Sequence, residues 1–151
     1  MASSLSGQGM TGRKLLLFRA AGRVFALEAG AVLEIVPASP ATRIPGSPAA
    51  VRGLMNVRGT VVTVVDAGLA IGVGSGPGAA DGPVVLVSQR DRPVGIAVDE
   101  VCDLVAVDAA VTEDRAALPG VRPDLVRGVG SAGGLTFVQL ATDVLLEPLL
   151  P

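Results

Sequence analysis

Apolar and smaller side chains alternate along several short segments of this chain. Phe25 and Leu27 alternate with smaller neighbours, and Val94 and Ile96 do the same in a later segment. A period of two places successive side chains on opposite faces of a β-strand. The pattern therefore predicts strands whose large residues face a core, and we expect the small and acidic residues between them, such as Ala26, to face outward.

Two segments, residues 61–65 and 84–87, are apolar at nearly every position. An antiparallel sheet normally keeps one face in water, so these strands need cover on both faces. Two explanations remain open: the segments lie where two subdomains meet, or one outer face binds a partner. Helical character is predicted only at residues 143–150, with Asp143 as the N-cap and Pro148 limiting the helix to a turn or two.

The two halves of the chain resemble each other at a fixed spacing. Six residues recur 69 positions later with similar chemistry: Arg23, Phe25, Leu27, Val32, Glu34 and Val36 correspond to Arg92, Val94, Ile96, Val101, Asp103 and Val105. The tripeptide Val-Arg-Gly also occurs once in each half, beginning at Val51 and at Val126. This repeat predicts a duplicated β-subdomain.

The repeat sets the expected organisation of the chain. We predict a flexible N-terminus over residues 1–13 and one domain over residues 14–151. Within that domain we expect one subdomain at about 14–72, a linker at about 73–83, a second subdomain at about 84–142 and the C-terminal helix at 143–150. The glycine-rich run at residues 72–78 belongs to the linker, because it lacks the Gly-Lys-Ser/Thr ending of a phosphate-binding loop.

Composition supports an all-β fold and argues against a membrane span. Half of the 151 residues are hydrophobic, yet there are three Phe and no Tyr or Trp, so Val, Leu, Ile and Ala must build the core. The mean hydropathy is +0.60, but no charge-free stretch reaches the roughly 18 apolar residues that a span needs. The N-terminus lacks the order of a signal peptide and Cys102 is the single cysteine, so we expect a cytoplasmic protein.

The residue types that are missing exclude most catalytic and metal chemistry. With no His and one Cys, the chain has no Ser-His-Asp triad, Cys-His pair, His-ligated metal or phospho-accepting histidine. Catalysis by carboxylates remains possible in principle. The acidic group Asp99, Glu100 and Asp103 is expected to be the solvated side of a strand and turn, and Cys102 a small core residue. A net charge of −2 and the scarcity of aromatics disfavour nucleic acid as a partner.

One long stretch carries a family resemblance. Residues 44–72 (IPGSPAAVRGLMNVRGTVVTVVDAGLAIG), followed by residues 94–107 (VGIAVDEVCDLVAV) and the later Val-Arg-Gly, resemble the CheW-like domain of bacterial chemotaxis coupling proteins. The similarity extends over residues 14–150. The departures from the family pattern are Thr63 for a common proline, Ala67 for a leucine, and Ser131 and Gly133 for the Asn and Arg of the first half.

The resemblance implies a fold and a role. The fold is two five-stranded SH3-like barrels packed around a shared hydrophobic core, with a short C-terminal helix. The role is that of a non-catalytic adaptor, which couples the cytoplasmic tips of methyl-accepting chemoreceptors to the regulatory domain of a CheA-type histidine kinase. Such an adaptor works in arrays on the inner face of the membrane, without cofactors and without inserting into the bilayer. Two alternatives remain: a diverged scaffold of a non-chemotactic chemosensory pathway, and a small-ligand-binding β-barrel.

The resemblance also implies a receptor site. In the family the receptor tip is a helical hairpin lying in a groove between the subdomains, and the matching contact residues here are Arg58, Gly53 and Val32, with Glu34 beside them. The resemblance assigns no kinase contacts to particular residues. From the residues alone, Arg58 either contacts a partner or caps a turn, while Gly53 meets a backbone requirement and Val32 belongs to a core.

Overall fold

The computed structural model describes residues 13–74, 81–107 and 120–150. These ranges hold the following strands: β1 (Arg13–Ala20), β2 (Arg23–Glu28), β3 (Val32–Val36), β4 (Val51–Val57), β5 (Thr60–Asp66), β6 (Val84–Gln89), β7 (Arg92–Ala97), β8 (Glu100–Val107), β9 (Val126–Ala132) and β10 (Leu135–Leu140). They also hold helices α1 (Ala67–Ile71) and α2 (Thr142–Leu146), and three 3₁₀ turns, Ala29–Ala31, Pro123–Leu125 and Glu147–Leu149. Of the predicted flexible N-terminus, residues 1–12 lie outside the described residues and Arg13 begins β1. Most of the predicted linker also lies outside the described residues.

The strands form two five-stranded sheets, which confirms the all-β class. Sheet A has the order β8-β1-β2-β10-β9, and sheet B has the order β3-β6-β7-β5-β4. The two orders match strand by strand when β8, β1, β2, β10 and β9 are replaced by β3, β6, β7, β5 and β4, which differ from them by five in strand number. The repeat in sequence is therefore a repeat in structure. The sheets do not follow the predicted subdomain boundaries, because the hairpin β1-β2 joins strands from the second half and β6-β7 joins strands from the first half.

Three apolar clusters are formed by the residues that the structure describes. The largest lies between the sheets and includes Phe18 and Phe25 from sheet A and Val85 and Val87 from sheet B. Each sheet also curls around a smaller core of its own. In β6, Val84 and Leu86 enter the core of sheet B while Val85 and Val87 enter the shared core, which confirms that this strand is covered on both faces.

Small residues on the strands face inward, and the expectation that they face outward was wrong. Ala26 and Ala97 are buried, and both belong to the small cores inside the curled sheets. A Cβ on Gly95 would lie 2.7 Å from Val84 Cγ1, which leaves no room for a larger residue. A narrow barrel interior therefore selects the small side chains, while the large ones on the opposite face fill the shared core.

The helices differ from the prediction in two respects. Sequence patterning missed α1, where the Asp66 carboxylate accepts a hydrogen bond from the Leu69 N–H at 3.0 Å and so caps the helix. Helix α2 begins one residue earlier than predicted, with Ala141 at the N-cap position and Asp143 in the first turn, so Asp143 is not the cap. Pro148 lies in the 3₁₀ turn that follows, which confirms that the α-helical segment is short.

Four hairpins in the described ranges share one turn geometry. Both central residues of each two-residue loop have positive φ, the signature of the type I′ turns that match strand twist. These pairs are Ala21 and Gly22, Arg58 and Gly59, Arg90 and Asp91, and Gly133 and Gly134.

The exchange of hairpins predicts that neither half of the chain folds alone. A chain cut within residues 75–80 should still yield one folded complex when both pieces are expressed together, because each sheet draws strands from both halves. Gel filtration and circular dichroism of each piece, alone and mixed, measure this. A cooperative unfolding transition for either piece by itself would contradict the prediction.

Candidate partner-binding site

Arg58 lies at the tip of the β4-β5 hairpin. Its φ is 49°, and the preceding Asn56 fixes the turn by accepting a hydrogen bond from the Gly59 N–H at 2.8 Å. The Arg58 side chain is 69% exposed. The hairpin therefore holds the base of this side chain rigidly and directs its guanidinium toward solvent.

Glu34 is the partner of Arg58 within the chain. The Arg58 Nη2 atom donates to the Glu34 carboxylate, and Glu34 lies on β3, at the opposite edge of sheet B from β4. The contact thus joins the two edges of the curled sheet. An exposed ion pair adds only about 0–1 kcal/mol to stability, so its main effect is to restrict the orientation of the guanidinium.

A bulge in β3 separates Val32 from Glu34. Val32 pairs with Val87, which lies in the shared core, whereas Glu34 pairs with Leu86, which lies in the core of sheet B. Leu33 is the extra residue between them. Val32 is half-buried against the shared core, as expected for a core residue, and Glu34 points toward the edge where Arg58 reaches it.

Gly53 is buried beneath the segment around Thr42. Its φ is 137°, and a Cβ on it would lie 2.1 Å from the Thr42 carbonyl oxygen. Thr42 and Leu54 exchange two backbone hydrogen bonds of 2.8 Å at this point. The structure therefore supports the backbone requirement predicted for Gly53, and Gly128 occupies the matching bulge in sheet A, where Gln139 and Leu140 pair with Gly128 and Val126.

Gly53→Ala should destabilise the fold by about 2–4 kcal/mol, because the added Cβ meets backbone that cannot move freely and the φ is unfavourable. Gly59→Ala separates the two causes, since Gly59 has a φ of 85° but nothing within 4 Å of the added Cβ. We expect it to cost about 1 kcal/mol. Urea unfolding measures both, and equal losses for the two variants would contradict the steric explanation.

Exposed apolar side chains are close in sequence to both members of the Glu34–Arg58 pair. Leu33 and Ile35 on β3 are 56% and 43% exposed, and Val61, beside the Arg58 turn on β5, is 62% exposed. Residues 62–65 are buried or half-buried. Of the two explanations for the apolar segment 61–65, an outer face that binds a partner therefore applies only to Val61. A fixed arginine among exposed aliphatic residues is a composition typical of protein–protein contacts.

Sequence reasoning missed a second arginine–carboxylate pair. Arg52 Nη2 lies 2.7 Å from the Oδ2 atom of Asp66, whose side chain is 5% exposed. Because Asp66 also caps α1, this pair fastens β4 to the helix that follows β5. Arg127 and Asp143 form a looser counterpart at 3.9 Å. Both Val-Arg-Gly tripeptides are followed in sequence by an aspartate near the start of a helix, Asp66 and Asp143. This recurrence was the signal that could have identified the arginine–aspartate pairs.

The acidic group in the second half forms structural contacts. Asp99 accepts a hydrogen bond from the Ala21 N–H at 3.0 Å, and Glu100 pairs with Arg19 at 2.8 Å. Cys102 is half-buried against the core of sheet A. Burial raises the pKa of the Cys102 thiol, although Arg19 opposes this, so the reactive thiolate form is suppressed.

Neither metal ligation nor a membrane span is evident in the described ranges. No group of three or more His, Cys, Asp or Glu residues there could hold a metal ion. No helix among the described residues is both long enough and apolar enough to cross a bilayer.

Comparison with known proteins identifies the family. The profile of the CheW-like domain matches residues 14–147. "Chemotaxis protein CheW" of Rhizobium meliloti is 34% identical over 96 residues, which is 64% of this chain and 62% of that relative. "Chemotaxis protein CheW" of Bacillus subtilis is 29% identical over 114 residues, covering 76% of this chain and 72% of the relative.

A solved structure has the same fold. The crystal structure of scaffolding protein TtCheW from Thermoanaerobacter tengcongensis superposes with a TM-score of 0.79 at 21% identity, covering 90% of this chain and 88% of that one. The structural likeness shows the shared fold, and the match of the family model over residues 14–147 shows that the chain belongs to the CheW-like domain family.

Proposed function

We propose that this protein is a non-catalytic adaptor that couples methyl-accepting chemoreceptors to a CheA-type histidine kinase in a bacterial chemosensory array. Membership of the CheW-like family supports the proposal, as do relatives named for chemotaxis and a structural neighbour named as a scaffold. The observation that carries it is the exposed Arg58 guanidinium, which is paired with Glu34 on a rigid turn, while the strands that carry the two residues also present exposed aliphatic side chains.

The receptor tip is proposed to bind at this surface. Arg58 hydrogen-bonds carbonyl or carboxylate oxygens of a receptor helix, and Glu34 keeps the guanidinium in position for that contact. Leu33, Ile35 and Val61 supply apolar anchors beside it. Burying aliphatic side chains contributes most of the binding energy of such a contact, while the arginine sets its orientation.

Val32 and Gly53 have supporting roles in this proposal. Val32 packs β3 against the shared core, which fixes the strand that carries Glu34 and the exposed aliphatic residues. Gly53 allows the segment around Thr42 to lie against β4, the strand that leads to the Arg58 turn. Both residues act by holding the surface in shape rather than by touching the receptor.

The interiors of the curled sheets favour a scaffold over a small-ligand barrel. Met55, Val62, Val64 and Leu86 fill sheet B, and Leu15, Leu17 and Phe137 are among the residues that fill sheet A. The buried amide of Gln139, two residues after Phe137 on β10, already donates to Glu28 Oε1 at 3.5 Å, and the aliphatic and aromatic side chains around it offer no further polar groups to orient a ligand. The proposed adaptor role places the protein at the inner face of the membrane, beside the receptor tips.

Binding to both partners tests the proposal. Immobilised protein should retain a purified receptor-tip hairpin and the purified regulatory domain of the kinase encoded by the same organism. Retention of only one would support a scaffold that has lost a partner, and retention of neither would overturn the proposed function.

A further inference from the structure

Sheet A holds a counterpart of the Glu34–Arg58 site that lacks its arginine. The repeat places Asp103 of β8 at the position of Glu34, and the β9-β10 turn places Gly133 at the position of Arg58. Both sheets therefore bring a carboxylate on an edge strand to a type I′ hairpin. Only sheet B supplies a cation at the tip of that hairpin.

The backbone geometry at the two sites agrees in detail. In β8, Leu17 pairs with Asp103 and Phe18 pairs with Val101, so Cys102 is an extra residue, as Leu33 is in β3. Gly133 has a φ of 58°, close to the 49° of Arg58. A Cβ built on Gly133 would lie 3.7 Å from Asp103 Oδ2, an ordinary contact distance. The carboxylate therefore faces the place that a side chain at the turn would occupy.

The Asp103 carboxylate has no basic partner in the described part of the chain. Its Oδ1 atom accepts a hydrogen bond from the Leu104 N–H at 2.8 Å, and the side chain is exposed. Leu104 beside it is 42% exposed, as Ile35 is 43% exposed beside Glu34. Sheet A thus presents the same acid and aliphatic pair as sheet B, next to a glycine turn where no side chain of the described ranges occupies the position of the arginine.

We propose that Asp103 and the Gly133-Gly134 turn form a docking site for an arginine side chain of a protein partner. Charge complementarity selects the occupant, because the same arrangement in sheet B is filled by an arginine of the chain itself. A guanidinium can bridge both oxygens of a carboxylate, which lysine cannot do as well. The exposed Leu104 indicates that the arginine comes from a partner surface with an aliphatic residue nearby.

Small arginine analogues test the site in the intact protein. We would titrate N-acetyl-arginine methylamide into ¹⁵N-labelled protein and follow the amides of Leu104, Gly133 and Gly134 by NMR. Because an exposed ion pair contributes little free energy, we expect small shifts that grow with the concentration of the analogue. The citrulline analogue, which is neutral, should give none, and the lysine analogue should give smaller ones.

Four variants make the test specific. Asp103→Asn should reduce the shifts by about fivefold or more, because the charged acceptor is lost. Gly133→Arg should abolish them by supplying the arginine within the chain, whereas Gly133→Ala should retain them. Conversely, Arg58→Ala removes the arginine that pairs with Glu34. The arginine analogue should then also shift the amide signals around Glu34.

Two outcomes would overturn the proposal. One is the absence of shifts at Leu104, Gly133 and Gly134 in the folded wild-type protein. The other is a response that Asp103→Asn leaves unchanged, which would show general attraction to acidic residues. The proposal is independent of the adaptor role, because the readout requires neither receptor nor kinase.

Discussion

Arg58→Glu should weaken binding of the receptor-tip hairpin by about 100-fold or more, because it replaces a cation at the proposed contact with a carboxylate beside Glu34. The free energy of unfolding should change by less than about 1 kcal/mol, since the Glu34–Arg58 pair is exposed. Isothermal titration calorimetry with the receptor fragment and urea unfolding measure the two effects separately.

Arg90→Glu is a closely matched control. Arg90 occupies the same position of a type I′ turn, in the β6-β7 hairpin, with a φ of 52°. Its side chain is 70% exposed and pairs with Glu147, just as Arg58 is 69% exposed and pairs with Glu34. Arg90→Glu should therefore leave receptor binding nearly unchanged. Equal losses for the two variants, or no loss for Arg58→Glu, would contradict the assignment of the receptor site to this surface.

Asp66→Ala should have the largest effect on stability among the charged residues considered. It removes the N-cap of α1, worth about 1 kcal/mol, and it removes the carboxylate that lies 2.7 Å from the partly buried Arg52 guanidinium, a loss that can reach about 3–5 kcal/mol in a fully buried pair. Arg52 is 25% exposed, so we expect a total loss of about 3 kcal/mol.

Two further variants apportion that loss. Asp66→Asn keeps a capping oxygen but removes the charge, so it should lie between wild type and Asp66→Ala. Asp143→Ala should cost less than about 0.5 kcal/mol, because the exposed Arg127–Asp143 pair is long and Asp143 caps nothing. Urea unfolding of the set measures these differences, and similar losses for Asp66→Ala and Asp143→Ala would contradict the structural role assigned to Asp66.

The repeat could be predicted from the sequence, but its arrangement in space could not. The spacing of 69 residues indicated two equivalent halves, and the two sheets have equivalent strand orders. Which hairpin completes which sheet depends on tertiary pairing, as in the parallel contact between β2 and β10. Hydrophobic periodicity carries no information about that choice, because either pairing buries the same faces.

Local patterning failed where the interior is unusually narrow or a segment is short. The alternation of Phe25, Ala26 and Leu27 was correctly assigned to a strand, but both faces are buried because a small barrel accepts alanine inside. Helix α1 is only five residues long, too short for a helical period to appear in the sequence. Asp66 followed by a glycine-ended segment was its available signal.

For the candidate site, too, part of the information came from the sequence and part only from the structure. The family resemblance indicated Arg58, Glu34, Val32 and Gly53, while only the structure shows which of them touch. Glu34 and Arg58 are 24 positions apart in sequence and meet because the edges of sheet B approach each other. Gly53 lies against the backbone of Thr42 and Val32 packs against the shared core, which are the structural roles that the residue types alone had indicated.

Formation of a ternary complex tests the central claim most directly. Purified receptor-tip hairpin, kinase regulatory domain and this protein would be mixed, separated by gel filtration and weighed by light scattering. The adaptor role predicts one species containing all three components, and no association of receptor with kinase when this protein is left out. A receptor–kinase complex that forms equally well without it, or a mixture in which no ternary species appears, would contradict that role.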